Sequence, residues 1–150
     1  KSISSDSTAI LGYVFFNIIY ALFSYPAGVL SDKFSKRLIF GTGLIIFSAV
    51  YTGFSFADNL PVIFILFTLY GLYSAATDGI SKAWISDFVD DRNRATAIGL
   101  YNSVTGLGIL LGSSLAGFLW DSFSSEVPFA FSAAVSLIIG IIILVDKKEY

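Results

Sequence analysis

The sequence predicts an all-α, polytopic membrane helical bundle of five transmembrane helices, and three observations carry that expectation. Hydrophobic residues make up 55% of the 150-residue chain, charged residues 13%, and the mean hydropathy is +0.79. That is far from the balance of a water-soluble domain. Five apolar runs are each long enough, at roughly 20 residues, to cross a bilayer; they fall at 8–29, 38–57, 61–88, 95–120 and 128–145. Between the first two lies a compact charged turn, Asp32-Lys33-Phe34-Ser35-Lys36-Arg37, while 9–29 and 38–57 hold no charge. Three cations and one carboxylate are tolerable there only if the turn sits in water and its flanks in lipid. The five runs fill the chain and leave no soluble domain.

Composition narrows the chemistry. Met is absent, so Lys1 is not a translated start, and the chain is expected to be a piece of a longer protein. The polar 1–7 stretch and the length of the first run do not fit a cleavable signal peptide. Without Cys there is no disulfide or thiol chemistry. Without His, a proton relay would rest on carboxylates, Lys, Tyr or water. No metal centre or cofactor is expected. The net charge of −2 says little about partners, which should be the lipid bilayer and a small-molecule substrate rather than nucleic acid.

The cations set an orientation. If the 32–37 turn is cytoplasmic, five spans put Arg92, Arg94, Lys147 and Lys148 on the same side, seven of the nine Lys and Arg with Lys33, Lys36 and Arg37. Lys1 lies opposite and Lys82 lies within the third run. The positive-inside rule favours this topology, with turn and C-terminus cytoplasmic, in a plasma (inner) membrane.

The first run closes on Ala27-Gly28-Val29-Leu30-Ser31-Asp32 and the fourth on Ala116-Gly117-Phe118-Leu119-Trp120-Asp121, both reading Ala-Gly-x-Leu-x-Asp. Three runs separate the copies, so they end on opposite faces, as in an inverted-topology repeat. Only the first copy is followed by cations.

Gly28-x-Leu30-Ser31-Asp32-Lys33-x-x-Lys36-Arg37 resembles the loop signature of the major facilitator superfamily, Gly-x-Leu-Ala-Asp-Arg-x-Gly-Arg-Lys-Arg. Ser35 stands where that signature has its second Gly. The stretch 94–101, followed by Gly106, Gly108, Gly112 and Gly117, resembles the family's eleventh helix. The resemblance implies that residues 1–150 are helices eight to twelve: an incomplete C-terminal bundle lacking one helix and the N-terminal bundle. It also implies that the loop is a latch that holds the outward-facing state and breaks on inward opening.

The loop chemistry can be read from the residues as well. Gly28 would let a neighbouring helix approach closely. Asp32 could accept hydrogen bonds from the start of the fourth helix near 91–96, where the helix dipole favours an anion; Arg94 lies at that start. Lys33, Lys36 and Arg37 could pair with Asp32, with Asp87, Asp90 or Asp91, or with anionic lipid. A merely topogenic basic loop is the alternative.

Within the runs, Asp78 and Lys82 are the only clear charges. Four residues apart, they share a helix face and can pair; at a bilayer centre each would cost about 2.5–3.5 kcal/mol on insertion scales. With Gly71 and Ser74 they form a polar stripe suited to a watery cleft. Two readings stay open: a proton-coupling or substrate-binding carboxylate tuned by Lys82, or a structural ion pair near the cytoplasmic gate. Tyr13, Asn17, Tyr20 and Ser24 share a face of the first run, and Asn102 and Thr105 one of the fourth. They could line a pathway or bond between helices. Gly108, Gly112 and Ala116 form a small-residue ridge whose ordinary use is close packing, within the bundle or against the missing half.

These features together predict a secondary active transporter that is not an enzyme, working by alternating access with proton coupling. A channel would need a continuous polar pore. An enzyme would need a partner set that Asp78 and Lys82 lack. A non-transporting sensor or docking protein on the same fold is the remaining alternative.

Overall fold

The computed structural model describes residues 6–31, 33–57 and 59–146. Asp32, Lys1, Lys147 and Lys148, on which parts of the latch and orientation readings rest, lie outside the described residues. Five α-helices follow one another: α1 (Asp6–Ser31), α2 (Lys36–Phe56), α3 (Leu60–Ser86), α4 (Arg94–Ser122) and α5 (Val127–Val145). A 3-10 turn, Asp91–Asn93, leads into α4, and the described residues contain no strand. All five helices are long and apolar enough to cross a membrane.

Local chemistry sets the helix ends. The Ser35 side chain accepts a hydrogen bond from the Leu38 N–H at 3.3 Å and caps α2. Its φ of −61° lies in the ordinary extended region, so this position needs no glycine, and a serine there supplies the cap. Asn59 caps α3 through the Val62 N–H at 3.0 Å, with Pro61 in the first turn where its missing N–H costs nothing. Pro26 lies inside α1, where it removes one backbone donor from the helix ladder.

The connections alternate up and down. The Arg37 guanidinium donates from Nε to the Ile143 carbonyl at 2.5 Å and from an Nη to the Leu144 carbonyl at 2.9 Å. The start of α2 and the end of α5 are therefore at one end of the bundle. Lys36 reaches Asp87 just past α3, placing that terminus at the same end. At the far end, Ser55 of α2 donates to the Glu126 carbonyl at the start of α5 at 3.3 Å. The two Ala-Gly-x-Leu-x-Asp copies, on α1 and α4, accordingly run to opposite ends.

Packing concentrates on three pairs, α2 with α5, α1 with α3, and α2 with α3. Each crosses at glycine. A Cβ built on Gly140 would come within 3.1 Å of the Gly41 carbonyl oxygen, and one on Gly41 within 2.8 Å of Leu144. Gly43 and Gly53 admit Thr77 and Leu66 at the α2–α3 crossing, and Gly71 admits Ile19 at the α1–α3 crossing. Such close approach is how membrane helices gain dispersion energy where lipid offers no hydrophobic drive.

Apart from Gly71, which the sequence placed on a polar stripe rather than at a crossing, these are not the glycines that the sequence singled out. At Gly28, Gly108 and Gly112 a built Cβ meets no described atom within 4 Å. For Gly108 and Gly112 the reason is the position of α4, which has no buried residue and touches chiefly α3 and α5. The ridge with Ala116 therefore makes no close helix crossing among the described residues. Its neighbours Leu107, Leu110 and Leu111 are all more than 60% exposed. An apolar exterior of this extent belongs against lipid or further protein.

Removing the Arg37 side chain leaves two α5 carbonyls without that donor. Arg37→Ala should destabilise the bundle by about 1–3 kcal/mol, the range for hydrogen bonds from a charged donor at a helix C-terminus. Amide exchange in the last turn of α5 should rise, and protection equal to wild type there would contradict the cap.

Candidate functional site

A cleft of about 520 Å³ opens between α1, α3 and α4, with α2 at its floor. α1 contributes Phe16, Asn17 and Tyr20, and α2 contributes Phe40 and Phe47. The longest wall is α3, with Tyr70, Tyr73, Ser74, Thr77, Asp78 and Ser81, while Tyr101 and Ile109 of α4 close one side. The α3 residues recur at three- and four-residue spacing, so one helix face lines the space.

The electrostatic centre is Asp78. Tyr20 Oη donates to its Oδ2 at 2.8 Å, tying α1 to α3 across the cleft. Lys82 Nζ lies 3.9 Å from Oδ1, at the outer limit of an ion pair, with both side chains about half exposed. The tyrosine from another helix is thus a closer partner than the lysine one turn along. Counting back from Ser86, Asp78 is about 12 Å of helical rise from the end of α3, in the half that carries the basic loop.

Of the pathway residues read from the sequence, the cleft brings together Asn17, Tyr20, Ser74 and Asp78. The others lie elsewhere. Tyr13 is 65% exposed, outside the lining, and packs its ring near Phe16. Asn17 itself donates to the Tyr13 carbonyl at 2.8 Å. Lys82 touches Asp78 but does not line the space. Gly71, part of the expected polar stripe, is buried under Ile19. Asn102 and Thr105 are exposed on the loosely packed α4, and the residue facing the cleft is Tyr101. Asn102 is one step, about 100°, further round the helix.

Of the loop cations, Lys36 takes one of the partners expected of it and Arg37 does not. Lys36 pairs with Asp87 at 2.5 Å and also reaches the Ala83 carbonyl at 3.4 Å. Arg37 meets carbonyls of α5 rather than a carboxylate. Two neighbouring cations thereby sit on the C-termini of two different helices, where the helix dipoles favour positive charge. Arg94 pairs locally with Asp91 at 2.8 Å, and Lys33 is exposed.

Five apolar helices, four of which line a cleft that holds a carboxylate, define a membrane-spanning bundle. The cleft's tyrosines and its carboxylate are within reach of a solute, and a crossing network of glycines holds its walls. The chain belongs to the Major Facilitator Superfamily, whose sequence model matches residues 2–149. It is similar to an uncharacterised MFS-type transporter of Methanocaldococcus jannaschii, 38% identical over 132 residues covering 88% of this chain and 33% of that protein. Multidrug resistance protein 1 of Bacillus subtilis is 28% identical over 134 residues, 89% of this chain and 34% of its own length. The hexuronate transporter of the same species is 25% identical over 141 residues, 93% of this chain and 33% of its own length. The chain spans about a third of the length of the curated relatives it matches. Two of these three relatives are named as transporters.

Proposed function

We propose that this chain is the greater part of the second six-helix bundle of a secondary active transporter, which moves a small solute by alternating access with proton coupling through Asp78. The reading rests chiefly on the cleft, where a carboxylate bonded across two helices shares a wall with tyrosines and small hydroxyls. Transporter sites favour this arrangement, because ionisable groups inside a membrane are costly unless they face water, protein or cargo. The largely unpacked α4 supports a further bundle completing the cleft from the open side. The end carrying Lys33, Lys36, Arg37, Arg92 and Arg94 would face the cytoplasm.

On this reading the basic loop is the latch. Lys36 and Arg37 join the start of α2 to the ends of α3 and α5. Of these contacts the partly exposed Lys36–Asp87 ion pair is worth only about 0–1 kcal/mol, which suits a contact that must break in each cycle. Solute counterflow in proteoliposomes containing the full-length protein tests the transport reading. External labelled solute should enter faster when the lumen is preloaded with unlabelled solute. Failure to exchange any candidate solute would favour a sensor or docking protein on the same fold.

A further inference from the structure

We infer that Tyr20 passes the charge state of Asp78 on to the half of α1 that runs into the basic loop. It acts as a positioning residue, through its hydrogen bond to that carboxylate, and the inference rests on the proton-carrying use of Asp78 proposed above.

The place of the bond along α1 carries the inference. α1 and α3 run parallel, and their earlier contacts are apolar. Phe67 lies over Gly12, Phe16 stacks on Tyr70 with ring centroids 5.0 Å apart, and Ile19 lies over Gly71. Next along comes the bond from Tyr20 Oη to Asp78 Oδ2 at 2.8 Å. Past it α1 is loosely held: Leu22 is 64% exposed, Tyr25 82%, and a Cβ built on Gly28 meets no described atom within 4 Å. The helix ladder is weakened over the same stretch. Ser24 donates to the Tyr20 carbonyl at 2.5 Å, a back-bond of the kind that bends helices. Pro26 has no N–H to offer the Leu22 carbonyl one turn back. Among the described residues, Tyr20 thus makes the last hydrogen bond to α3 before a segment free to tilt.

The strength of that bond depends on charge. A hydrogen bond to an ionised carboxylate is roughly twice as strong as one between neutral groups. Tyr20 occupies Oδ2, while Lys82 Nζ, 3.9 Å from Oδ1, is beyond hydrogen-bond reach. Oδ1 is therefore the oxygen open to a proton from water in the cleft. With the proton there, the tyrosine O–H donates to the carbonyl oxygen of a neutral acid, and the tie between α1 and α3 slackens. The other titratable groups around Asp78 are Lys82, Tyr70 and Tyr73 on α3 and Tyr101 on α4, and α2 presents only phenylalanines. None of these donates a hydrogen bond to Asp78 among the described residues, so a change in its charge reaches another helix through Tyr20. Phe16 stacks on the Tyr20 ring at 6.2 Å and holds it in place for this contact.

Double electron–electron resonance on the full-length protein in nanodiscs tests this role, with cysteines removed elsewhere and spin labels at Tyr25→Cys on α1 and Ile142→Cys on α5. Both positions are exposed, and Ile142 lies at the end of α5 that Arg37 caps. As the buffer is acidified, the otherwise wild-type protein is expected to pass from a narrow distance distribution to a broader, displaced one. Tyr20→Phe should show the acid distribution at every pH, as should Asp78→Asn, and the two together should do no more than either alone. Phenylalanine keeps the ring beside Phe16, and a wild-type elution profile on size exclusion checks that each variant folds. A tyrosine that serves packing alone would leave the pH response intact in Tyr20→Phe. If Tyr20→Phe responds as the wild type does while Asp78→Asn does not, the role of Tyr20 is overturned and the proton-carrying reading of Asp78 stands. If Asp78→Asn also responds, or the wild type does not, both are overturned.

Discussion

Asp78→Asn in the full-length protein should abolish the proposed proton-driven transport while solute counterflow at saturating concentration persists. Asparagine keeps the shape of the side chain and an oxygen that can accept from Tyr20, 2.8 Å away in the wild type. It loses the ability to carry a proton, and no other carboxylate lines the cleft among the described residues. Counterflow needs only that the loaded carrier reorient, so it survives where net proton movement does not. The folding cost should be small, about 1 kcal/mol for a weakened hydrogen bond at an exposed site. The check is transport driven by an imposed pH gradient, measured beside counterflow in the same proteoliposomes. Unchanged pH-driven transport would make Asp78 a structural partner of Tyr20 and Lys82.

The second large effect concerns packing. Gly140→Val should sharply reduce the yield and thermal stability of the folded protein. A Cβ at this position already falls 3.1 Å from the Gly41 carbonyl oxygen and 3.2 Å from the Leu44 Cβ. Backbone cannot swing aside as a side-chain tip can, so α2 and α5 would have to separate. Overpacking of this kind costs about 1–3 kcal/mol, and a β-branched side chain against backbone belongs at the upper end. Gly79→Ala is the control, since a Cβ there meets no described atom within 4 Å, and alanine in a helix gains up to about 1 kcal/mol over glycine. Detergent thermal melts that move equally in the two variants would contradict the crossing.

Hydropathy and charge made most of the fold legible in the sequence. Each helix begins and ends within about two residues of the apolar run that announced it. Run length and the charges that end it are local properties, so no tertiary knowledge is needed to read them. The packing glycines were not legible in this way. Gly41 and Gly140 meet across nearly a hundred residues, and nothing in their own neighbourhoods distinguishes them from Gly108 or Gly112. Which glycine lies at a crossing depends on which helices become neighbours.

The site was half legible for the same reason. Asn17, Tyr20, Ser74 and Asp78 declare themselves as polar groups within apolar runs. Tyr70, Tyr73 and Tyr101, and the phenylalanines behind them, do not, because an aromatic ring in an apolar run suits lipid, core or cleft equally well. The Asp78–Lys82 spacing predicts a helix-face pair, yet the tighter contact comes from Tyr20, 58 residues away. Likewise Arg37 reads as a partner for acids, and its use as a cap for α5 emerges only once the fold brings that helix end to it. The Ser35 departure from the family signature resolves into a helix cap.

The central claim is that the tyrosine-lined cleft is the solute pathway. This chain has no cysteine, so a Ser74→Cys variant can be probed in a full-length protein cleared of cysteines elsewhere. Ser74 lines the cleft on α3, and cysteine is nearly its isostere. Labelling by a membrane-impermeant maleimide should proceed in the absence of solute and slow severalfold when transported solute is present. A thiol that stays unreactive in active protein, or one whose labelling rate transported solute leaves unchanged, would place the pathway elsewhere.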